Sequence, residues 1–303
     1  MNNSKVIQQK HDSKHTSRLV KAMKGWTEPL ESYTLKPEGV FGSVAKIKCN
    51  NVTVDSNELD FEFTVPFDDD MEANEAEIII YNLSKNTISR FKNRAEITIE
   101  AGYEKDTGVI FSGFVDRVKT KIDGATKITT IKCLDDVSKK TVESLSFAEG
   151  TKASYILKTL LNKTGLPIAV FKTRRDWTYK DKVTVDGDLM QNIKKYSEVC
   201  GISTYVNKGK IYSRYIKNGD NINFTVQEST GMLGSPEEFE EEQTAEDYKE
   251  TVTGYKIEML LQHRMTTAAI VKLKSLNANG TFRVRKGVHR FNELEAITEI
   301  EVV

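Results

Sequence analysis

His289 is the residue of this sequence whose type most readily points to catalysis. An imidazole acts as a general base when a serine, cysteine or acidic side chain is arranged beside it. The sequence around His289 contains no such arrangement, and no nucleophile motif or spaced pair of carboxylates stands out elsewhere. The pattern favours a structural role for His289 and predicts no catalytic residue.

Two short charged motifs could bind ions. The triplet Asp68–Asp70 offers carboxylates to calcium, but the central glycine and terminal glutamate of an EF-hand loop are missing. The motif Arg174–Trp177, which reads RRDW, could bind a phosphate or stack on a base. Motifs of both kinds are more often solvated. We expect a solvated loop at 68–70, able to touch a neighbouring subunit, and a solvated rim at 174–177.

The cysteines and histidines do not form a metal-binding pattern. Zinc sites need ligands a few residues apart, whereas the cysteines are widely spaced and odd in number. We expect the cysteines to be small buried residues in a reducing cytoplasm, and the sequence predicts no metal and no cofactor. The residues concerned are Cys49, Cys133, Cys200, His11, His15, His263 and His289.

The composition excludes several classes of partner. The 303-residue chain has 44 lysines and arginines against 44 aspartates and glutamates, which predicts no bulk attraction to nucleic acid or anionic lipid. No stretch approaches the roughly 20 apolar residues that a membrane helix needs, so we expect no membrane insertion. The first fifteen residues lack the apolar core of a secretory signal. The length allows two or three domains with their own cores.

Strands dominate the first half of the chain. Glu77–Asp136 contains a β-branched run, a helical turn at Thr87–Phe91 and three further strands, with a hairpin around Asp123-Gly124. The preceding Trp26–Asp70 predicts a hairpin at Asn50-Asn51 and an alternating strand over 59–65. Together they predict a small antiparallel sheet that must close or pair to cover its inner face.

The apolar spacing changes to that of helices after residue 144. Ala153–Leu161 predicts one helix, and Leu189–Val199 predicts a second that Asp186 or Asp188 can cap. Residues 202–215 then alternate around a Lys-Gly turn and predict a hairpin. This combination predicts a compact α+β module whose apolar faces form a core.

The acidic run Glu237–Glu250 is typical of an exposed and mobile segment, and we interpret it as a linker or loop. In an assembly around a DNA channel, such a run could form an acidic wall that repels DNA. Thr251–Val303 returns to strand patterns, with a strand at 271–273, a turn at 277–280 and a hairpin formed by 281–289 and 296–302.

An internal echo links the two β-rich ends of the chain. Gly108 precedes a strand, a hairpin and a T-x-I-x-C sequence at Thr129, and Gly280 precedes a strand, a hairpin and a T-x-I-x-V sequence at Thr298. The separations are 129 − 108 = 21 and 298 − 280 = 18 residues, a difference that one loop change explains. The echo predicts two related β modules on either side of the α+β module.

Four short motifs occur in order over about sixty residues of the first β-rich region. They are I-Y-N-L-S at 80–84, A-G-Y at 101–103, G-x-I-F-S-G-x-V at 108–115 and T-x-I-x-C-L-D-D at 129–136. This series resembles the baseplate hub proteins of long-tailed bacteriophages and phage-tail-like particles, a family related to the late control protein D group. The last segment of hub relatives is similar to this chain at Gly280, Phe282, Val284, Val288 and His289.

The resemblance implies a structural, non-enzymatic baseplate hub of a virion tail or tail-like particle, assembled in the bacterial cytoplasm. It implies a homotrimer that joins the six-fold tail tube to the three-fold central spike or tip. Contacts are then expected with the tail tube protein, the spike or tip protein, baseplate wedge proteins and the tape measure protein, with DNA only in transit. A tail-associated peptidoglycan hydrolase and a receptor- or carbohydrate-binding tip protein stay open as alternatives.

The expected fold is mainly β with an α+β insert, in which two small antiparallel β-barrel-like modules, similar to those of tail tubes, flank an α+β domain. Residues 1–27 are expected to form a basic flexible arm, with six lysines and arginines against the single acid Asp12. We expect the first β-barrel hub domain at 28–144 and the α+β domain at 145–232. The acidic linker and second β-barrel-like domain are expected at 233–303.

Overall fold

The computed structural model describes residues 42–70, 73–103, 105–135, 141–245 and 248–303. Within these ranges the chain forms eighteen strands, three α-helices and one 3-10 turn, so strands dominate as the sequence predicts. The basic arm predicted at 1–27 lies outside the described residues, as does the start of the predicted hub domain up to residue 41. The described elements form a first β module, an insert and a second β module, in chain order.

The first β module contains the strands β1 to β7. They are β1 (Ser43–Cys49), β2 (Val52–Asp55), β3 (Phe61–Phe67), β4 (Glu75–Tyr81), β5 (Glu96–Tyr103), β6 (Asp106–Asp123) and β7 (Thr126–Leu134), with the short helix α1 (Lys85–Ile88) after β4. Inward residues such as Ile47 and Ile78 are fully buried, as period-two alternation requires. Both predicted hairpins are confirmed, and Asn50 and Gly124 have the positive φ that such turns need.

The insert combines two helices with two small sheets. Its elements are β8 (Thr141–Phe147), α2 (Ala153–Thr164), β9 (Ile168–Phe171), β10 (Val183–Asp188), α3 (Leu189–Val199), β11 (Ser203–Asn207) and β12 (Lys210–Arg214). Both predicted helices are confirmed, and their apolar faces pack into one core with β8, β10 and β12. Asp188 is the cap of α3, since its carboxylate accepts a hydrogen bond from the Gln191 N–H at 2.9 Å.

The second β module contains the strands β13 to β18. They are β13 (Asp220–Val226), β14 (Met232–Ala245), β15 (Tyr248–Leu260), β16 (Ala269–Lys274), β17 (Asn279–Phe291) and β18 (Ala296–Val302), with a 3-10 turn (Glu228–Thr230) before β14. The linker or loop predicted at Glu237–Glu250 is wrong, because residues 237–245 lie in β14 and residues 248–250 lie in β15. Exposed glutamates oppose strand formation only weakly, and an unbroken ladder to β15 supplies the missing stability.

The two β modules share one strand order. The first is arranged β3-β4-β7-β6-β5 and the second β14-β15-β18-β17-β16, and every neighbouring pair in both is antiparallel. In each series the five strands are consecutive in the chain. This shared topology confirms the predicted fold class, although the sixth strand differs: β1 runs antiparallel to β5, whereas β13 runs parallel to β16.

The central hairpins of the two modules match residue by residue. Val115 pairs with Cys133 and Val284 pairs with Val302, and both pairs differ by 169 (284 − 115 and 302 − 133). A β-bulge follows at the same place in β6 and in β17. Bulges are features that a fold retains for a reason, so a shared bulge at a constant offset is strong evidence for an internal duplication.

A second marker of the duplication is a backbone conformation. Arg94 has φ 64° and Ala268 has φ 62°, a region that non-glycine residues seldom adopt. The Arg94 N–H donates to the carbonyl of Val115 at 2.7 Å, and the Ala268 N–H donates to the carbonyl of Val284 at 2.9 Å. Equivalent strained residues therefore contact equivalent strands.

The predicted threonine match is confirmed and the predicted glycine match is wrong. Thr129 and Thr298 differ by 298 − 129 = 169 and are both fully buried. Gly108 and Gly280 differ by 280 − 108 = 172 and are three residues out of step. The surroundings of the two glycines also differ. A Cβ on Gly108 would lie 2.2 Å from the His263 ring, whereas a Cβ on Gly280 would meet only an aromatic ring of its own strand.

Strand pairing joins the two β modules into one sheet. The second half of β17 pairs antiparallel with β3, from Gly287 opposite Phe67 to Phe291 opposite Phe63. The rings of Phe63 and Phe291 stack with centroids 5.3 Å apart. The modules are thus held head to tail by backbone hydrogen bonds and by a shared aromatic contact, with the insert placed between them in the chain.

Candidate functional site

His289 is a buried structural histidine, as the sequence favours. Its Nε2 lies 3.1 Å from the carbonyl of Met265, which can only accept, so Nε2 carries the proton and Nδ1 accepts from the Thr298 hydroxyl at 2.8 Å. Complete burial, and then the nearby charge of Lys208, lower the pKa of His289 to about 3. The neutral imidazole fastens β17 to β18 and to the loop after β15.

His289 should make stability depend on acidity in a way that a His289→Asn chain does not. Between its ordinary pKa of 6.5 and its folded pKa of about 3, the unfolded state binds a proton that the native state does not. The free energy of unfolding should therefore fall by about 1.4 kcal/mol per pH unit as the pH drops through this window. Urea unfolding at pH 4, 5, 6 and 7 should show the advantage of the natural chain over His289→Asn shrinking at that rate.

The Asp68 carboxyl also titrates in this pH window. The prediction therefore concerns the difference in stability between the natural chain and His289→Asn, and not the stability of the natural chain alone. Burial, and then the charge of Asp70, raise the pKa of Asp68 to about 6, so its protonation favours the native state as the pH falls. This contribution is present in both chains and cancels in the difference. Parallel stability curves for the two chains would contradict the buried neutral state of His289.

The triplet Asp68–Asp70 is a junction between the three cores rather than the expected solvated loop. The Asp69 carboxylate lies 2.6 Å from Nη1 of Arg283, whose side chain is only 3% exposed. The Ser203 hydroxyl of the insert donates to the backbone carbonyl of Asp69 at 3.1 Å. The Thr267 hydroxyl of the second β module donates to the carbonyl of Asp68 at 2.8 Å. The loop therefore binds both other parts of the chain.

Two buried arginines complete this junction. Arg214 Nη2 donates to the Tyr205 hydroxyl at 2.6 Å and to the Asp220 carboxylate at 2.7 Å. The Arg283 guanidinium lies 6.0 Å from the centroid of the Tyr205 ring, and its Nε donates to the carbonyl of Asn218 at 3.2 Å. These residues are not predicted from the sequence. The sequence does place each arginine at an inward-facing strand position, but no sequence pattern indicates which residue it binds.

A second polar contact fastens the modules on another side. Asp106 at the start of β6 lies 3.0 Å from His263 Nε2 and 2.6 Å from Arg264 Nη2, both in the loop after β15. Burial alone raises the pKa of the Asp106 carboxyl, but the hydrogen bonds from His263 and Arg264 outweigh it and hold the pKa well below its usual range. Gly108 leaves the room that the His263 ring occupies.

The RRDW motif at Arg174–Trp177 is exposed, as predicted for a solvated rim, and it also contacts both helices of the insert. Arg175 Nε and Nη2 donate to the carbonyls of Val199 and Glu198, both at 3.0 Å, at the end of α3. Asp176 accepts from the N–H and hydroxyl of Ser154 at the start of α2, at 3.0 and 2.7 Å. Trp177 is 60% exposed.

The described residues contain no cluster of histidine, cysteine or acidic side chains that could hold a metal ion. The three cysteines are buried and unpaired with one another, as expected. Burial raises the pKa of Cys133 to about 12 and that of Cys200 to about 11, so both stay protonated at neutral pH. In the part of the chain that the structure covers, no helix is long and apolar enough to span a membrane.

A polar groove of about 580 Å³ crosses the sheet from the end of β3 to β14. Part of its charged lining is paired, with Lys256 and Lys286 both near the Glu301 carboxylate at 3.7 and 3.1 Å. Salt bridges of this kind on an exposed sheet contribute little to stability. The groove offers a polar contact surface and contains no arrangement for nucleophilic catalysis.

Comparison with known proteins places this architecture. The sequence profile of a family described as "Baseplate hub gp41" matches residues 73–287, which span both β modules and the insert. No curated protein sequence matches the chain.

Solved structures share the fold. The 43 kDa tail protein of prophage MuSo2 from Shewanella oneidensis aligns with a TM-score of 0.63 and 8% identity, over 86% of this chain and 96% of that protein. A tail protein from Neisseria meningitidis MC58 aligns with a TM-score of 0.60 and 8% identity, over the same shares. The E. coli c3393 protein is a type VI secretion system component described as structurally similar to T4 bacteriophage tail proteins gp27 and gp5. It aligns with a TM-score of 0.58 and 10% identity, over 85% of this chain and 76% of that protein.

Proposed function

The chain belongs to the baseplate hub gp41 family, and on this premise we propose that it is the trimeric adapter at the centre of a baseplate. Family membership makes it a structural component of the baseplate of a phage tail or tail-like particle. In our proposal three copies form a ring, which joins the six-fold tail tube on one side to a three-fold spike or tip on the other.

The observation that carries this proposal is the duplicated β module. A protein that presents both symmetries allows a six-fold ring to meet a three-fold tip through matching interfaces. Three chains with two similar modules each offer six near-equivalent surfaces to the tube, while the chain itself repeats three times. The constant offset of 169 between the central hairpins and the strand-paired joint of β17 with β3 support this arrangement.

Each segment of the chain has its own role in the proposed hub. The β-barrel hub domains at 28–144 and within 233–303 form the ring, the α+β domain at 145–232 decorates it, and the arm at 1–27 contacts a partner. The partners are the tail tube protein, the spike or tip protein, wedge proteins and the tape measure protein. Assembly takes place in the bacterial cytoplasm, and DNA meets the ring only in transit.

Particle stoichiometry tests the trimeric adapter. Particles purified from cells that express the tail genes should contain three copies of this chain per baseplate, measured by quantitative mass spectrometry against the tube protein and by reconstruction from electron micrographs. The two β modules should occupy alternating positions of a pseudo-six-fold ring. A ring that contains six copies of the chain would rule out the adapter.

A structural role without enzymatic activity fits the polar residues described above. Each candidate group is engaged in a structural contact: His289 with Thr298, Asp69 with Arg283, and Arg175 with the end of α3. The alternative of a peptidoglycan hydrolase predicts clearing of bacterial cell wall in a zymogram. We expect the folded chain to give none, and clearing would overturn this part of the proposal.

A further inference from the structure

Several strand edges in the described residues have no ladder partner, and the duplication relates two of them. The first is the second half of β6, which pairs with β7 on one side but has left β5 after Phe114. The second is the outer edge of β14, since β14 pairs with β15 and ends the sheet. Unpaired edges of this length are templates for another strand, and proteins normally cover or blunt them.

The duplication identifies what each edge is equivalent to. Subtracting 169 converts the half of β17 at Gly287–Phe291 into Val118–Ile122 of β6, which is the free edge of the first β module. In the second β module, β14 holds the place of β3. Within the chain, the β17 edge and β3 pair with each other. The free edge of β6 is therefore equivalent to the paired edge of β17, and the free edge of β14 is equivalent to the paired edge of β3. The two free edges can form the same type of strand pairing that β17 and β3 form within the chain.

The register of the missing joint follows from the ladders. Glu77 of β4 and Lys256 of β15 are equivalent, because their partners Lys132 and Glu301 differ by the constant 169. Thr64 pairs with Glu77, and Glu237 pairs with Lys256. Glu237 is therefore the equivalent of Thr64. Thr64 pairs with Arg290, which corresponds to Lys121 (290 − 169 = 121).

We propose, building on the trimeric hub, that β6 of one copy pairs antiparallel with β14 of a second copy, with Lys121 opposite Glu237. Continuing this register places Thr120 opposite Glu238, Lys119 opposite Phe239 and Val118 opposite Glu240. The joint is head to tail, so it forms a closed ring of identical copies when the rotation closes.

Charge complementarity identifies a second copy as the occupant. The free edge of β6 carries Lys119 and Lys121, both exposed, and the β14 edge carries exposed glutamates at 237, 238 and 240. Opposite charges placed directly across an antiparallel pair stabilise it, and like charges destabilise it. Two copies of either edge would repel each other, whereas one edge of each kind attracts. The complementarity therefore selects the head-to-tail arrangement.

The exposure of Ile122 is explained by the same joint. Ile122 is 76% exposed, which is unusual for a large apolar strand residue in this chain. Its equivalent in β17 is Phe291, which is 7% exposed because it packs on Phe63 of the paired strand. A neighbouring β14 would cover Ile122 as β3 covers Phe291.

Disulfide trapping tests both the pairing and its register. A chain that carries Thr120→Cys together with Glu238→Cys has one thiol on each edge, directly opposite its partner across the joint, within the reach of a disulfide. Oxidation of the purified full-length protein should give covalent species that end at three chains on a non-reducing gel. The native cysteines are buried and should not contribute.

The matched control shifts one thiol by a single residue. Thr120→Cys with Phe239→Cys places the two thiols on opposite faces of the sheet, so it should cross-link at least tenfold more slowly. Equal rates for the two double variants would overturn the register. A protein that stays monomeric and uncross-linked at rising concentration would overturn the pairing of β6 with β14.

The outcomes separate this pairing from the trimeric adapter. Covalent rings that close at six chains would support the strand pairing and overturn the trimer. Trimers that form by mass but give no cross-link would keep the trimer and overturn the pairing. In assembled particles, cross-links from the Thr120→Cys chain to a different protein would overturn a second copy as the occupant.

A charge swap gives an independent readout. Lys121→Glu or Glu237→Lys alone places like charges across every joint and should weaken association by about fivefold per joint. The chain with both substitutions restores an opposite pair at each joint and should recover most of the association, measured by sedimentation. Failure of the double variant to recover would contradict the Lys121–Glu237 register.

Discussion

Replacing Asp69 with alanine should lower the free energy of unfolding by about 3 kcal/mol, because it leaves the buried Arg283 guanidinium without its carboxylate. The two groups are 2.6 Å apart, and their side chains are 11% and 3% exposed. Removing one partner of a buried ion pair costs far more than the pair itself contributes, since the remaining charge has lost its water and its counter-ion. Urea unfolding at pH 7 measures the loss.

A double substitution separates the stranded charge from any general damage to the loop. Asp69→Ala combined with Arg283→Met removes both charges and should recover at least about 1.5 kcal/mol of the loss. Asp181→Asn, an exposed carboxylate of the insert, serves as the matched control and should change stability by less than about 0.5 kcal/mol. If the double variant is as unstable as Asp69→Ala, the burial of Arg283 is not the cause.

The junction at Asp69 also has a consequence for assembly. The Asp69 carboxylate binds Arg283 in the second β module, so its loss should let the two β modules move against each other, while the bond from Ser203 to the Asp69 backbone carbonyl remains. A ring subunit must hold its modules at one angle, because an error in each subunit accumulates around the ring. We therefore expect Asp69→Ala to lower the yield of complete particles more than its stability loss alone explains.

Much of the local structure could be predicted from the sequence. Period-two alternation gives the strands of the first β module, and helical spacing gives α2 and α3, because burial of one face dictates both patterns. The duplication was also visible, although only through the buried threonines Thr129 and Thr298. Gly108 and Gly280, which the sequence echo aligns, are three residues out of step, and an added Cβ would meet His263 at one and Phe282 at the other.

The polar contacts and the long acidic hairpin could not be predicted. Asp69 and Arg283 are 214 residues apart, so no spacing rule connects them. The run at Glu237–Glu250 has the composition of a solvated segment, and its strand state depends on a partner strand rather than on propensity. In the proposed ring, β14 also pairs with β6 of a second copy. A mobile linker could not form that pairing, because strand pairing requires an extended and ordered edge.

Replacing Gly287 with alanine should destabilise the protein by about 2 kcal/mol by forcing apart the strands that join the two β modules. A Cβ at this position would lie 2.4 Å from the carbonyl oxygen of Glu299 and 2.6 Å from the ring of Phe67. The carbonyl belongs to the neighbouring β18 and cannot move without breaking its ladder. The Phe67 ring covers the glycine across the joint, a pairing that compensates for the missing side chain.

Gly280→Ala is the matched control, because it lies on the same strand and its Cβ would meet only the movable ring of Phe282, at 3.0 Å. We expect this variant to be neutral or slightly stabilised, since alanine in a strand loses less backbone entropy than glycine. Equal losses for the two variants would show that β17 does not tolerate any added carbon, and would remove the special role of the joint.

The comparison of Gly287 with its counterpart explains how one duplicated joint can serve two purposes. The equivalent residue of the first β module is Val118, which faces Glu240 of a second copy in the proposed ring. A glycine covered by an aromatic ring gives a joint that is buried when the chain folds, whereas a pairing of charged and branched residues stays soluble until another copy arrives. Gly287→Ala should accordingly impair folding as well as assembly. Ile122→Thr, at a position of the same edge that is 76% exposed, should leave the unfolding midpoint unchanged and weaken only the association of copies, as thermal unfolding and sedimentation of the same samples would show.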